Sequence, residues 1–182
     1  MRTERVIVVP YDFKWNNEYK KIKIYLEKAL DSSIVAIEHV GSTSVEWLYA
    51  KPILDIDVII ENYDKFEDVK FRLENLGYYH EGDLGIKDRE AFAYSEKHEF
   101  MTHHLYVCPR DSKEVKRHIT FRNYLRIHKE DRERYSEIKL QAAKMYPTDI
   151  DSYVETKGAC ITEIYKKCGL WEFVLLDVTH FS

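Results

Sequence analysis

Two aspartates stand at alternate positions inside the apolar, β-branched run Ile53 to Ile60, and that run leaves the chain few ways to fold. A side-chain period of two puts Asp55 and Asp57 on one face of a strand. Side by side, they are costly unless a cation or a solvent-filled cleft compensates them. Upstream, the apolar segment Ile34 to Val40 ends at Gly41, which permits a left-handed or closely approached backbone. Any of Ser42, Thr43 and Ser44 is able to cap a short helix predicted over Val45 to Ala50, with backbone N–H groups facing outward. Lys51-Pro52 stops it, because the residue before proline is pushed toward extended geometry. Ile37 to Ile60 thus predicts strand, tight turn, one or two helical turns, and a second strand.

The flanks fit the same plan. Val6 to Val9 predicts a short edge strand, and a helix opening at Asp12 carries the stripe Trp15, Tyr19, Ile22, Leu26 and Ala29. A second helix over Tyr63 to Leu76 buries Phe66, Val69, Leu73 and Leu76 before Gly77. Strands follow at Ala91 to Tyr94 and at Thr102 to Cys108. In the latter, His104 and Tyr106 share one face and His103 and Leu105 the other. From Ser112 the pattern turns helical, with stripes Val115, Ile119, Leu125 and then Tyr135, Ile138, Ala142, Met145. Pro147 ends that helix, and Asp149 caps another through Cys168. Lys157 falls in line with the apolar face of that last helix, three after Val154 and four before Ile161; such a lysine snorkels or points at an anion. His118, Arg122 and Arg126 form a positive row. The tail after Gly169, Trp171 to Phe181, is apolar enough to cover the core or to contact a second copy.

At 182 residues the chain is read as one unit: a core at 8–110, a helical part at 111–168 and an apolar tail at 169–182. The fold class expected is α/β (α+β), a small mixed sheet flanked by helices with a C-terminal helical annex. Its 28 basic and 32 acidic residues give a net charge of −4, which argues against an extended nucleic-acid surface. Cys108, Cys160 and Cys168 form no CxxC and read as thiols in a reducing compartment, so a cytoplasmic location is expected; no run reaches membrane-spanning length.

The chemistry is expected at the Gly-Ser turn and the aspartates. Gly41, Ser42, Thr43 and Ser44 offer N–H groups and hydroxyls to a phosphate. Asp55 and Asp57 offer carboxylates to a divalent ion that bridges phosphate oxygens, and Lys51, Arg122, Arg126 and Lys157 neutralise the remaining charge. If the strand at Thr102 to Cys108 pairs with Ile53 to Ile60, His104 or Tyr106 faces the acids.

Gly41-Ser42 followed by Asp55-Ile56-Asp57 resembles the signature of the nucleotidyltransferase superfamily. More closely, HVGSTSVEWLYAKPILDIDV, HHLYV, FRNYLRIHKEDRERYSEIK and YVETK resemble the GrpB (UPF0157) family, over Val8 to Lys167. The resemblance implies the nucleotidyltransferase-like fold, with Gly41 and Ser42 as the phosphate-contacting turn and Asp55 and Asp57 as catalytic, metal-binding carboxylates. Family members fused to a dephospho-CoA kinase domain point toward nucleotide or cofactor metabolism. The third carboxylate of active transferases has no counterpart here. Its strand offers His104 and Tyr106, the latter where the family usually has histidine, and Glu38 is a substitute acid if it faces the cleft. The expectation is therefore a metal site of Asp55, Asp57 and His104 holding Mg²⁺, Mn²⁺ or Zn²⁺. Its ligand is a nucleotide or other small phosphorylated molecule. A silent nucleotide- or metal-binding regulatory module is the alternative, and a homodimer is compatible with the tail.

Overall fold

In the computed structural model, which describes residues 5–95 and 99–174, the aspartate strand is the second of five. The elements in order are α1 (Lys14–Leu30), β1 (Ala36–Val40), β2 (Leu54–Ile60), α2 (Phe66–Asn75), β3 (Tyr78–Gly82), β4 (Glu90–Tyr94), β5 (His103–Pro109), α3 (Lys113–Ile127), α4 (Lys129–Met145) and α5 (Ile150–Lys167). The sheet order is β1-β2-β5-β4-β3, with β2 and β5 parallel and the other pairs antiparallel. The connection from β2 to β5 runs through α2, β3 and β4, and the mixed sheet flanked by helices is the architecture the alternation pattern predicts.

Residue alternation divides the sheet into two chemically different faces. Ile37, Leu54, Ile56, Val58, Ile60, Leu105 and Val107 pack against Trp15, Ile22, Leu26 and Leu30 of α1 and Phe66, Val69 and Leu73 of α2. That is the main core, and each of its large side chains contributes roughly 1.5–3 kcal/mol by leaving water. The other face carries Glu38, Asp55, Asp57, His104 and Tyr106, and the cross-strand register places them in rows: Val40–Asp55–His104 and Glu38–Asp57–Tyr106. Over this face lie α3, α4 and α5, whose own core gathers Leu125, Tyr135, Ile161, Ile164 and Tyr165 around Val45 and Leu48.

Two local expectations change. Val6 to Val9 is not a strand; Val9 makes a single bridge to Ala50, N to O at 2.9 Å and back at 3.0 Å. Val45 to Ala50 is not a helix either. Only Ser42–Ser44 makes a 3₁₀ turn, because Trp47 sits at φ 68° and Ala50 is tied to Val9. Six residues are too few to nucleate a helix against such competing contacts. Met145, counted in the α4 stripe, is instead exposed. No helix among the described residues is long and apolar enough to cross a membrane.

The start of the tail packs on the helical annex: Leu170 and Phe173 are buried in its core and the Arg117 guanidinium lies over the Phe173 ring at 5.6 Å, whereas 175–182 lie outside the described residues. Phe173→Ala should therefore cost about 3 kcal/mol in a denaturant melt. Trp171→Ala, at a side chain 62% exposed, should cost under about 0.5 kcal/mol. Equal small losses for both would show that the tail does not anchor the annex.

Candidate functional site

The turn after β1 and the first aspartate of β2 interlock at van der Waals limits. Gly41 has φ 67° and ψ −170°, and a Cβ built on it would lie 2.0 Å from Asp55 Oδ2. Glycine is needed here both for the backbone angle and for the carboxylate that occupies the space a side chain would fill. The Ser44 hydroxyl donates to Gly41 O at 2.6 Å, and Thr43 donates to Ile53 O at 3.3 Å, so both are buried inside the turn. Only Gly41 and Ser42 of the four turn residues line the adjacent cavity.

That cavity, of about 150 Å³, lies between the sheet and α3–α5; its wall includes Gly41, Ser42, Lys51, Asp55, His104 and Lys157, all named from the sequence. It also includes Lys139, Arg89, Arg117 and His118, which the sequence reading had not placed in the cleft. Lys139 is 2% exposed and donates from Nζ to Ser42 Oγ at 2.8 Å. Its ammonium sits 4.7 Å from the Tyr135 ring centre, four residues back on α4. On α5 the arrangement repeats, with Lys157 Nζ 4.3 Å from the Tyr153 ring and Lys51 on the far approach at 5.9 Å. Two adjacent helices thus each present a Tyr-x-x-x-Lys pair to one cavity, with the cation over the aromatic face. The signal was in YSEIK and YVETK.

Electrostatics in the cavity are dominated by amines without enough acid. Burial drives the Lys157 amine down to about 7, with Lys51 adding repulsion and Asp55 opposing both. Burial likewise pushes Lys139 well below the usual lysine range, helped by Lys157 and Lys51 and opposed by Asp55. Lys51 is lowered by burial too. Burial works to raise the Asp55 carboxyl, but the His104 hydrogen bond and the nearby positive groups outweigh it and hold the carboxyl below its ordinary value.

Each aspartate is matched with a histidine. His104 Nδ1 donates to Asp55 Oδ1 at 2.9 Å across the β2–β5 ladder. His118 of α3 donates from Nδ1 to Asp57 Oδ2 at 2.7 Å, while its Nε2 accepts from Arg117 Nη2 at 3.1 Å. Arg117 is itself paired with Glu114 and donates to the Tyr165 hydroxyl at 3.1 Å. Asp57 is fully buried and its Oδ1 has no partner among the described residues. Tyr106 is covered by the Arg89 guanidinium at 4.5 Å, and burial raises its phenol.

The remaining expectations separate. Arg122 and Arg126 do not line this cavity. Arg122 donates to Glu38 Oε2 at 2.7 Å and His39 O at 2.8 Å, and Arg126 donates to Ser44 O at 3.1 and 2.9 Å. Both clip α3 to the β1 edge and the turn, because those acceptors lie within reach before the cavity does. Glu38 is thereby paired and is no substitute acid in the cleft. His39 and His103 point to the other sheet face, stacked on Tyr19 at 4.7 Å and Tyr94 at 4.6 Å. As for the expected metal cage, among the described residues no three His, Cys, Asp or Glu side chains gather to hold an ion. His104 is bonded to Asp55 rather than set beside it as a co-ligand.

A mixed sheet with a Gly-Ser turn against the first of two alternating acids, backed by a helical annex, defines a nucleotidyltransferase-like fold. The Cid1 poly(U) polymerase described as MgGTP bound shares that fold: TM-score 0.53, 11% identity, 76% of this chain and 44% of that one. The family model described as GrpB protein matches residues 5–167, and the chain belongs to the GrpB family. The crystal structure of conserved protein GrpB from Enterococcus faecalis superposes with a TM-score of 0.79 at 34% identity, covering 89% of this chain and 96% of that one. Glutamate-rich protein GrpB of Alkalihalophilus pseudofirmus is 34% identical over 164 residues, 87% of this chain and 93% of the relative. UPF0157 protein YqkA of Bacillus subtilis is 28% identical over 168 residues, 92% of this chain but only 48% of that protein, so this chain spans about half of it.

Gly41→Ala should destabilise the fold by more than about 3 kcal/mol, since strain and overpacking add. Gly85→Ala, at φ 82° with nothing within 4 Å of the new Cβ, should cost about 1–2 kcal/mol. Denaturant titration compares them, and equal losses would mean that the Asp55 contact gives way freely.

Stability should also depend on pH through Lys157. A lysine at 10.5 in the unfolded chain and about 7 in the folded one binds more protons when unfolded across that interval. Stability should therefore rise as pH climbs from 7 toward 10.5, with the full cost of the buried charge retained below 7. Lys157→Met should remove up to about 1.4 kcal/mol per pH unit of that slope. Urea melts at pH 6.5, 8 and 9.5 decide it; a slope unchanged by the substitution would remove Lys157 as its source.

Proposed function

We propose that the protein binds a small phosphorylated molecule in the cavity between the sheet and α3–α5. Lys51, Lys139, Lys157 and Ser42 hold the phosphate. The observation that supports this reading is the charge balance: three desolvated lysines face one carboxylate, Asp55, inside a common cavity. Ammonium groups out of water need anionic partners, and a phosphate dianion supplies the charge and acceptor oxygens they lack. The cavity volume of about 150 Å³ suits a phosphate with a few carbons better than a whole nucleotide. An engineered cavity of that size takes a benzene ring.

His104 adds a means of moving a proton. Donation from Nδ1 to Asp55 leaves Nε2 as the basic nitrogen, in an imidazole whose orientation Asp55 fixes. Asp57 is a positioning residue: it holds His118, which in turn accepts from Arg117 on the cavity wall.

The donors as arranged do not fit a resident divalent ion. One oxygen of each aspartate is bonded to a histidine, Asp57 does not reach the cavity wall, and the groups around Asp55 are cationic. No step is routed through a metal. Nucleotidyl transfer with Mg²⁺, Mn²⁺ or Zn²⁺ at Asp55, Asp57 and His104 would require both histidines to turn away.

Calorimetric titration of metal-stripped protein tests the reading, with inorganic phosphate, glycerol 3-phosphate and ATP, each with and without these ions. Phosphate and the ester should bind without metal, and Lys139→Met should weaken them at least about tenfold, or 1.4 kcal/mol. At pH 8 binding should take up protons, because the phosphate raises the Lys157 amine; heats in buffers of different ionisation enthalpy report this. Binding of ATP alone, and only with a divalent ion, would overturn the proposal and restore the aspartates as ligands.

A further inference from the structure

The three cavity amines differ in burial and in partners: Lys51 is only half-buried, whereas Lys139 and Lys157 are buried. Lys139 Nζ is committed to the Ser42 hydroxyl at 2.8 Å, but Lys157 makes no hydrogen bond or ion pair among the described residues. The residue is 8% exposed, on the cavity wall, and its ammonium lies 4.3 Å from the centre of the Tyr153 ring. An ammonium with no acceptor, beside two other lysines, is easily converted to the neutral amine, and a neutral desolvated amine is a nucleophile. Its low proton affinity, about 7 where lysine normally stands at 10.5, agrees with that geometry.

We propose that Lys157 forms a reversible imine with the carbonyl carbon of a small phosphorylated aldehyde or ketone, whose phosphate rests on Lys51, Lys139 and Ser42. This rests on the phosphate-binding reading above and names the substrate class of the same cavity. The Nζ lone pair attacks the carbonyl carbon; a C–N bond forms as the C=O π pair moves to oxygen, which takes up a proton. Nitrogen releases one proton to give the carbinolamine, whose hydroxyl takes up a second proton and leaves as water, and nitrogen then gives up its remaining proton. The sum is amine plus carbonyl to imine plus water, with nothing oxidised or reduced. His104, held by Asp55 on the same wall, is the group placed to deliver and recover these protons. The Tyr153 ring under Lys157 gives the imine carbon an apolar floor, and the two neighbouring lysines account for the requirement that the carbonyl compound carry a phosphate.

The test is reductive trapping. Wild-type protein is incubated at neutral pH with glycolaldehyde phosphate and sodium cyanoborohydride, then digested and mapped by mass spectrometry. The expected result is one adduct per chain, on Lys157, suppressed by excess inorganic phosphate. Unphosphorylated glycolaldehyde should label the same residue at least about tenfold more slowly. Lys157→Arg should abolish the adduct, Lys157→Met serves if the arginine does not fit, and phosphate binding is read in the calorimeter on the wild-type protein. Labels scattered over surface lysines, or placed on Lys51 or Lys139, would overturn the assignment. Phosphate binding without any Lys157 adduct would overturn the imine and leave the binding reading standing. Neither binding nor adduct would bring down both.

Discussion

The contact between the Asp55 carboxylate and the Gly41 backbone sets the geometry of everything around the cavity. A carboxylate oxygen fills the place where a side chain at position 41 would begin, so turn and strand are held at a separation that admits no other residue. That contact brings Ser42 to the cavity wall, and Ser42 receives the Lys139 ammonium from α4 at 2.8 Å. The same carboxylate accepts from His104 on the neighbouring strand. Sheet, turn and helical annex therefore meet at one acid. Because Asp55 stands against three desolvated lysines, its charge is what makes their burial tolerable without a ligand.

Around this centre the fold links polar groups in short chains. Asp57, His118, Arg117, Glu114 and Tyr165 form one, running from the middle of the sheet to α5. Arg122 and Arg126 form another kind of fastening, tying α3 to Glu38, the His39 carbonyl and the Ser44 carbonyl. These arginines satisfy backbone acceptors at a sheet edge and in a turn, where unpaired carbonyls would otherwise be buried. Such fastening adds to the apolar contact that α3 makes through Val115 and Ile119 with Ile59, Ala91, Tyr106 and Cys108.

Much of the fold was legible because period decides it. Alternation in β2 and β5 revealed which residues share a face, and the 3.6-residue stripes of α1 and α2 revealed what covers the apolar one. Gly41, Ser42, Lys51, Asp55, His104 and Lys157 were all named from the chain and all line the cavity. Lys139 was missed, although its spacing from Tyr135 repeats that of Lys157 from Tyr153, because one lysine in a charged helix looks like a solvated one. Arg122 and Arg126 were placed in the cleft from their i, i+4 spacing. Spacing gives the face of a helix but not what a long flexible side chain reaches from it. The helix over Val45 to Ala50 failed for a related reason: Ser42, Thr43 and Ser44 form the 3₁₀ turn themselves and cap nothing, and the bridge from Val9 to Ala50 is a long-range contact.

By itself, then, the sequence determined the alternation that makes a two-faced sheet, the glycine turn before it, and the presence of acids on one face. These are local consequences of side-chain direction and backbone sterics. Only the tertiary structure decided what those acids meet. The parallel pairing of β2 with β5 set His104 against Asp55, and the docking of α3 set His118 against Asp57. The packing of α4 on α5 aimed two lysines from separate helices into one cavity with Lys51. Charge acts over distance and is screened less when buried, so Asp55 stands as counter-charge to the amines of the cavity while Asp57 is taken up by His118.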